Sequence, residues 1–198
     1  EDNELQLAPG MRPFTQARGV LHFTDSGFAL SNVRAQLLGG DVKVEGKGRY
    51  GGVGHDMGFR AQGVVTAEGF RSQREFGWLS RLGRKMSGST AYQVEYGVRD
   101  GVSEISLGSS LQGLGMQLPA PLTKAPEDSL ALSFEKKVVV RDAAKGSAQA
   151  RLQDRLSVGL GRIASATWLR DLSGDVPKII NGSIAMGQAP GESLVSPE

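Results

Sequence analysis

The sequence contains no cysteine, which excludes disulfides, thiolate metal sites and cysteine nucleophiles at once. It leaves the redox compartment open. Only two histidines are present. His22 lies in an alternating run and His55 in a glycine-rich loop beside Asp56, and neither has the second ligand nearby that a zinc site needs. No stretch approaches the ~18 consecutive apolar residues of a membrane-spanning helix. Charge of one sign is not in excess either, with 23 basic residues against 21 acidic ones. Nucleic-acid binders concentrate a basic surplus on one face, so no nucleic-acid partner is expected. The opening Glu1-Asp2-Asn3-Glu4 lacks the basic-then-apolar layout of a signal peptide. It reads as a cut inside a longer protein, with any membrane anchor outside the fragment.

The motifs of common chemistries are missing as well. Gly51-Gly52-Val53-Gly54 lacks the Lys-Ser/Thr ending of a phosphate-binding loop and opens no helical pattern. Gly108-Ser109-Ser110 is not the G-x-S-x-G of a nucleophile elbow. The carboxylates are scattered, and no pair stands out by its setting. The expectation is a protein without catalytic residues, metal or cofactor, and not an enzyme.

Glycine is abundant: 28 of 198 residues, about twice the usual ~7%. Without collagen's period, that density suits short strands joined by tight turns. Alternation of apolar and polar residues fills most of the chain. Leu21 and Phe23 share one side of Gly19–Thr24, and Phe28 and Leu30 resume after the turn residues Asp25-Ser26-Gly27. Val33, Ala35 and Leu37 follow, then a Gly39-Gly40-Asp41 turn, Val42 and Val44, and a further run at Phe59 and Ala61. Tyr92, Val94, Tyr96 and Val98 form the cleanest two-faced strand. Asp100-Gly101 is a hairpin signal, followed by Ile105, Leu107 and Leu111. Leu130, Leu132 and Phe134 alternate in turn, a polar turn spans 141–146, and strands are expected near 148–170 and 176–187. These patterns predict a mainly β protein: a twisted antiparallel sheet of consecutive hairpins, forming one unit over residues 1–188. Residues 189–198 have no periodicity and read as a disordered tail or linker.

One segment departs from the period of two. From Ser72 to Met86, the residues Trp78, Leu79, Leu82 and Met86 fall at helical spacing, with Arg74, Arg81, Arg84 and Lys85 on the other side. A basic amphipathic helix of this kind can lie against anionic lipid headgroups. The pattern favours a helix packed over the sheet with its arginines in water.

Two stretches resemble a known family. Gly19-Val20-Leu21-His22-Phe23, Gly27-Phe28-Ala29-Leu30 and Val33 through Gly40 resemble the repeating strand unit of AsmA-like proteins. Ser110-Leu111-Gln112-Gly113-Leu114, continuing through Leu118-Pro119-Ala120-Pro121-Leu122-Thr123-Lys124, resembles a stretch of the YhdP-type branch. The resemblance covers roughly residues 5–187. It implies a segment of a much longer protein, anchored in the inner membrane of Gram-negative bacteria and projecting into the periplasm. There a curled β-sheet groove would carry phospholipid toward the outer membrane and maintain its barrier. On that reading the groove lining is Leu21, Phe23, Phe28, Leu30, Tyr92, Val94, Tyr96, Leu107, Leu130, Leu132 and Phe134, facing acyl chains. Arg74, Arg81, Arg84 and Lys85 would meet headgroups or the surface. The partners would be phospholipid and the rest of the full-length protein. A second reading, a non-catalytic assembly module, would bind proteins or a second copy through its outer strands near residues 3–8 and 176–187.

Overall fold

The computed structural model describes residues 4–5, 14–51, 56–72, 77–99, 101–140, 152–174 and 176–187. Twelve strands follow in order: β1 Glu4–Leu5, β2 Phe14–Thr24, β3 Gly27–Leu37, β4 Gly40–Arg49, β5 Asp56–Thr66, β6 Met86–Arg99, β7 Val102–Ser109, β8 Leu114–Met116, β9 Leu132–Val140, β10 Leu152–Leu160, β11 Ala164–Asp171 and β12 Lys178–Met186. Two short helices, α1 Ala67–Arg71 and α2 Gly77–Gly83, sit between β5 and β6. Every strand but β8 pairs with its neighbours in one open sheet, ordered β1-β2-β3-β4-β5-β6-β7-β9-β10-β11-β12. All of these pairings are antiparallel. β8 pairs instead with the start of β6.

Consecutive antiparallel pairing keeps registered partners on one face. Val44 therefore aligns with Ala61, Val94, Leu107, Phe134, Val158, Ala166 and Ile184 in a single row from β4 to β12. The sheet is apolar on that face. The opposite row, Glu45, Arg60, Glu95, Ser106 and Glu135, is charged or polar.

Strict alternation would put Leu30 and Val33 on opposite faces. An irregularity in the β3–β4 pairing between them restores the face, and Asn32 absorbs it at a left-handed φ of 52°, where asparagine is tolerated. Gln16 does the same in β2 at φ 53°. The β3–β4 hairpin turns on Leu38 and Gly39, both at positive φ, as the tightest two-residue hairpins require.

Two apolar clusters organise the sheet. Val33, Ala35, Val42 and Val44 pack with Phe14 and are flanked by Leu30, Ala61 and Tyr92. At the end where β5 leaves the sheet, Ala67, Leu111, Leu114 and Met116 form the second, with Phe70, Met86, Leu132 and Leu160 against it. Each fully buried large side chain here contributes roughly 1.5–3 kcal/mol.

The structure corrects three expectations. The single helix over 72–86 is two short helices, and β6 already begins at Met86. Gly77 and Gly83 bound the second one, at its ends, where glycine costs a helix less than in its interior. The strand expected near 148–170 is the hairpin β10–β11, turned at Gly161 with φ 50°. Leu130 precedes β9 rather than alternating within it. The 141–146 turn and the tail at 189–198 lie outside the described residues.

Candidate functional site

The apolar face is the candidate. Leu21, Phe23, Phe28, Leu30, Tyr92, Val94, Tyr96, Leu107, Leu132 and Phe134 all fall on it by register. They are unequal. Leu21 and Phe23, on β2, are 54% and 76% exposed, whereas Tyr92 through Phe134 are half-buried. Leu130 and Leu132 pack into the cluster around Leu114 and Met116, so they cap one end of the face.

Glycines make this face smooth. A Cβ on Gly48 would lie 2.4 Å from the Phe28 ring and 3.0 Å from Met57, and one on Gly46 would lie 2.4 Å from the Phe59 ring. With no side chains on β4 at these points, Phe28 of β3 and Phe59 of β5 meet across it at 5.8 Å between centroids, and Phe59 continues to Tyr96 at 6.3 Å. Gly182 serves Trp168 similarly, at 2.8 Å. These contacts, one across β4 and one between β5 and β6, line the face with aromatic rings from β3 to β6. One polar atom is stranded in it. The Tyr92 hydroxyl is buried without a hydrogen-bond partner, and its burial pushes the phenol above its ordinary value of 10.0.

Among the described residues, cover on the face is concentrated over the two clusters. The elements off the main sheet, α1, α2 and β8, touch β5 and β6. A hollow of about 840 Å³ reaches from Phe28 on β3 to Leu152 on β10, and Met57, Val98 and Val138 also line it. A second hollow of about 870 Å³ borders the charged rows, among them Glu45, Arg60, Glu95, Glu135 and Lys137. On those rows Arg60 binds Glu95 across the strands at 2.7 Å. Lys43 holds the Glu45 carboxyl below its ordinary value, and Glu135 raises Lys137. These are exposed pairs of little energetic weight.

The basic residues expected on one helix are not gathered there. Arg81 lies in the last turn of α2. Arg84 and Lys85 follow in the turn before β6, and all three are exposed. Arg74 lies outside the described residues. Trp78, expected on the packed side, is 61% exposed.

Sequence reasoning missed a charged group on the apolar face itself. Asp154 of β10 is wholly buried and registers with Arg170 of β11. Arg170 donates from Nε to Oδ1 at 2.8 Å and from Nη2 to Oδ2 at 2.5 Å, a bidentate geometry. Those bonds raise the guanidinium further above its ordinary value. Lys136 of β9 places its Nζ 3.9 Å from Asp154 Oδ2 and donates to Ser103 Oγ at 2.8 Å. Asp154 was legible only as an inward position of Leu152, Leu156, Val158 and Leu160, which required locating the Gly161 turn first.

Among the described residues no cluster of three or more potential ligands could hold a metal ion. None of their helices is long and apolar enough to cross a membrane. The family model described as YhdP protein matches residues 1–195. No curated protein and no solved structure matches the chain.

Proposed function

Because the chain belongs to the YhdP protein family, we propose that it is a groove segment of a longer AsmA-like envelope protein that moves phospholipid between the inner and outer membranes. It would work in the periplasm, tethered by an inner-membrane anchor elsewhere in the full-length protein, and would support the outer-membrane barrier. The observation that carries this is the apolar row from Val44 to Ile184, continuous over the sheet. An apolar sheet face needs cover, and among the described residues the off-sheet elements gather at one end of it, against β5, β6 and the cluster that holds Leu132 and Leu160. Acyl chains would supply the rest. Passage of lipid along such a face makes and breaks no covalent bond, so no residue takes a catalytic role.

A photo-crosslinking residue at Phe134, in the full-length protein in cells, is expected to capture phospholipid. The same residue at Lys43, on the charged face, is expected to capture none. Equal capture at both sites, or none at Phe134 with the fold intact, would sink the proposal.

One observation favours the second reading, an assembly module. β12 is an outermost strand, and Ile179, Ile184 and Met186 on it are 65%, 70% and 73% exposed. Such an edge suits pairing with another strand. Protein adducts at Ile184 in place of lipid adducts would support it.

A further inference from the structure

A face built to hold hydrocarbon has no use for charge, yet this one carries three ionised side chains together. Asp154 and Arg170 satisfy each other through two bonds. Lys136 is the remainder. Its Nζ lies 3.9 Å from Asp154 Oδ2, beyond hydrogen-bonding distance, and donates to Ser103 Oγ. An ammonium has three donors, so Lys136 keeps capacity to spare. Two cations and one anion leave one net positive charge among the described residues here. The side chains of Lys136 and Arg170 remain 22% and 23% exposed, while Asp154 is fully covered. The positive charges therefore face outward over the buried carboxylate.

A pair serving only to lock β10 to β11 would be neutral. The third charge is the excess, and a partly desolvated cation is stabilised by an anion that replaces its lost water. The register neighbours decide which anion. Lys136 aligns with Leu156 and Ile105, Leu156 with Trp168, and Asp154 with Val138. A bare anion would satisfy the charge and leave those side chains uncovered. An amphiphile satisfies both.

We propose that Lys136, held by Ser103 and set against the Asp154–Arg170 pair, docks the phosphate group of an amphiphile whose tail lies along the neighbouring apolar row. This rests on the groove reading above and adds the headgroup position to it.

The test uses the 198-residue chain carrying Trp78→Phe, so that Trp168, beside the site, is the only tryptophan reporting. Dodecyl phosphate, dodecyl maltoside and inorganic phosphate are titrated separately, and inorganic phosphate is also tried as competitor. Dodecyl phosphate should bind about tenfold more tightly than the maltoside, the order expected of one charge-assisted contact. Lys136→Met should remove that tenfold advantage and leave maltoside affinity unchanged. Lys136→Arg should retain most of it. Ser103→Ala, which releases the lysine but keeps its charge, should give a smaller loss, and it takes over if Lys136→Met does not fold. Inorganic phosphate should neither shift the fluorescence nor compete at millimolar concentration. Undiminished dodecyl phosphate binding in both the Lys136→Met and Ser103→Ala chains, with maltoside still bound, would overturn the headgroup site and leave the groove standing. Full competition by inorganic phosphate would assign the site to a free anion and overturn it too. Failure of both amphiphiles to bind the folded chain would overturn the groove reading, and the headgroup site with it.

Discussion

Glycine in a strand is ordinarily a weakness, because it has no side chain to pack and loses the most backbone freedom on folding. Position decides the sign here. A methyl group at Gly48 would collide with Phe28 and Met57, whereas nothing lies within 4 Å of the corresponding point at Gly58. Gly48→Ala is therefore expected to destabilise by about 1–3 kcal/mol through forced repacking of the rings. Gly58→Ala should be neutral or stabilising by up to about 1 kcal/mol. Urea midpoints for the two variants check this, and equal effects would contradict the aromatic bedding. Tyr92 gives a second test. Its hydroxyl is buried and unpartnered, so Tyr92→Phe should be neutral or stabilise by about 1 kcal/mol. The raised phenol sets the pH dependence: its contribution is fully present below the unfolded value near 10 and is lost as pH rises through the higher folded value. The variant should lose that alkaline component of unfolding. The abundance of glycine was plain in the sequence. Its use as a bed for rings was not, because that depends on which residue of the next strand stands opposite.

The strands were the most legible elements, since a period of two survives any reading frame. What disturbed the reading were irregularities without strong local signatures. The shift around Asn32 reconciles Leu30 with Val33, and alternation alone cannot announce it. The β10–β11 turn uses Gly161 without the Asn, Asp or Pro that usually punctuates a hairpin, so two strands merged into one. Asp154 was hidden by the same merger. The helical segment misled differently. Apolar spacing over 72–86 reflected two separate demands, Leu82 near the end of α2 and Met86 already in β6, packed against the second cluster. The first helix has a clear start: Thr66, its N-cap, accepts from the Gly69 N–H at 2.9 Å. Thr66→Ala should lower stability by about 1 kcal/mol, and Thr66→Ser should recover most of it. Guanidinium unfolding of the three chains would show whether this cap matters to the end of the sheet that α1 covers.

At the scale of the molecule, the family-like stretch and the proposed working surface are different places. Leu111, Leu114 and Met116 belong to the buried cluster that closes one end. Lys124, buried beside them, donates to the carbonyls of Ala125 and Asp128. The most recognisable residues are thus structural, while the apolar face is built from residues interchangeable with many others. For this reason the fold and family were readable from sequence and the arrangement of the face was only partly so. A charge placed on the face should separate transport from stability only where water can solvate it. Ile184 meets that condition: it is 70% exposed yet registers with Ala166 in the long apolar row. Its neighbour Ser183 registers with Thr167 on the opposite face. Aspartate at either exposed position should change stability by no more than about 0.5 kcal/mol. In the full-length protein, Ile184→Asp is expected to raise cellular sensitivity to detergents and large antibiotics, because an ionised carboxylate interrupts the path of an acyl chain. Ser183→Asp should leave the barrier unchanged. Matching sensitivity in both variants would point to a partner gripping the β12 edge, and wild-type resistance in both, with normal protein levels, would remove this edge from the lipid path.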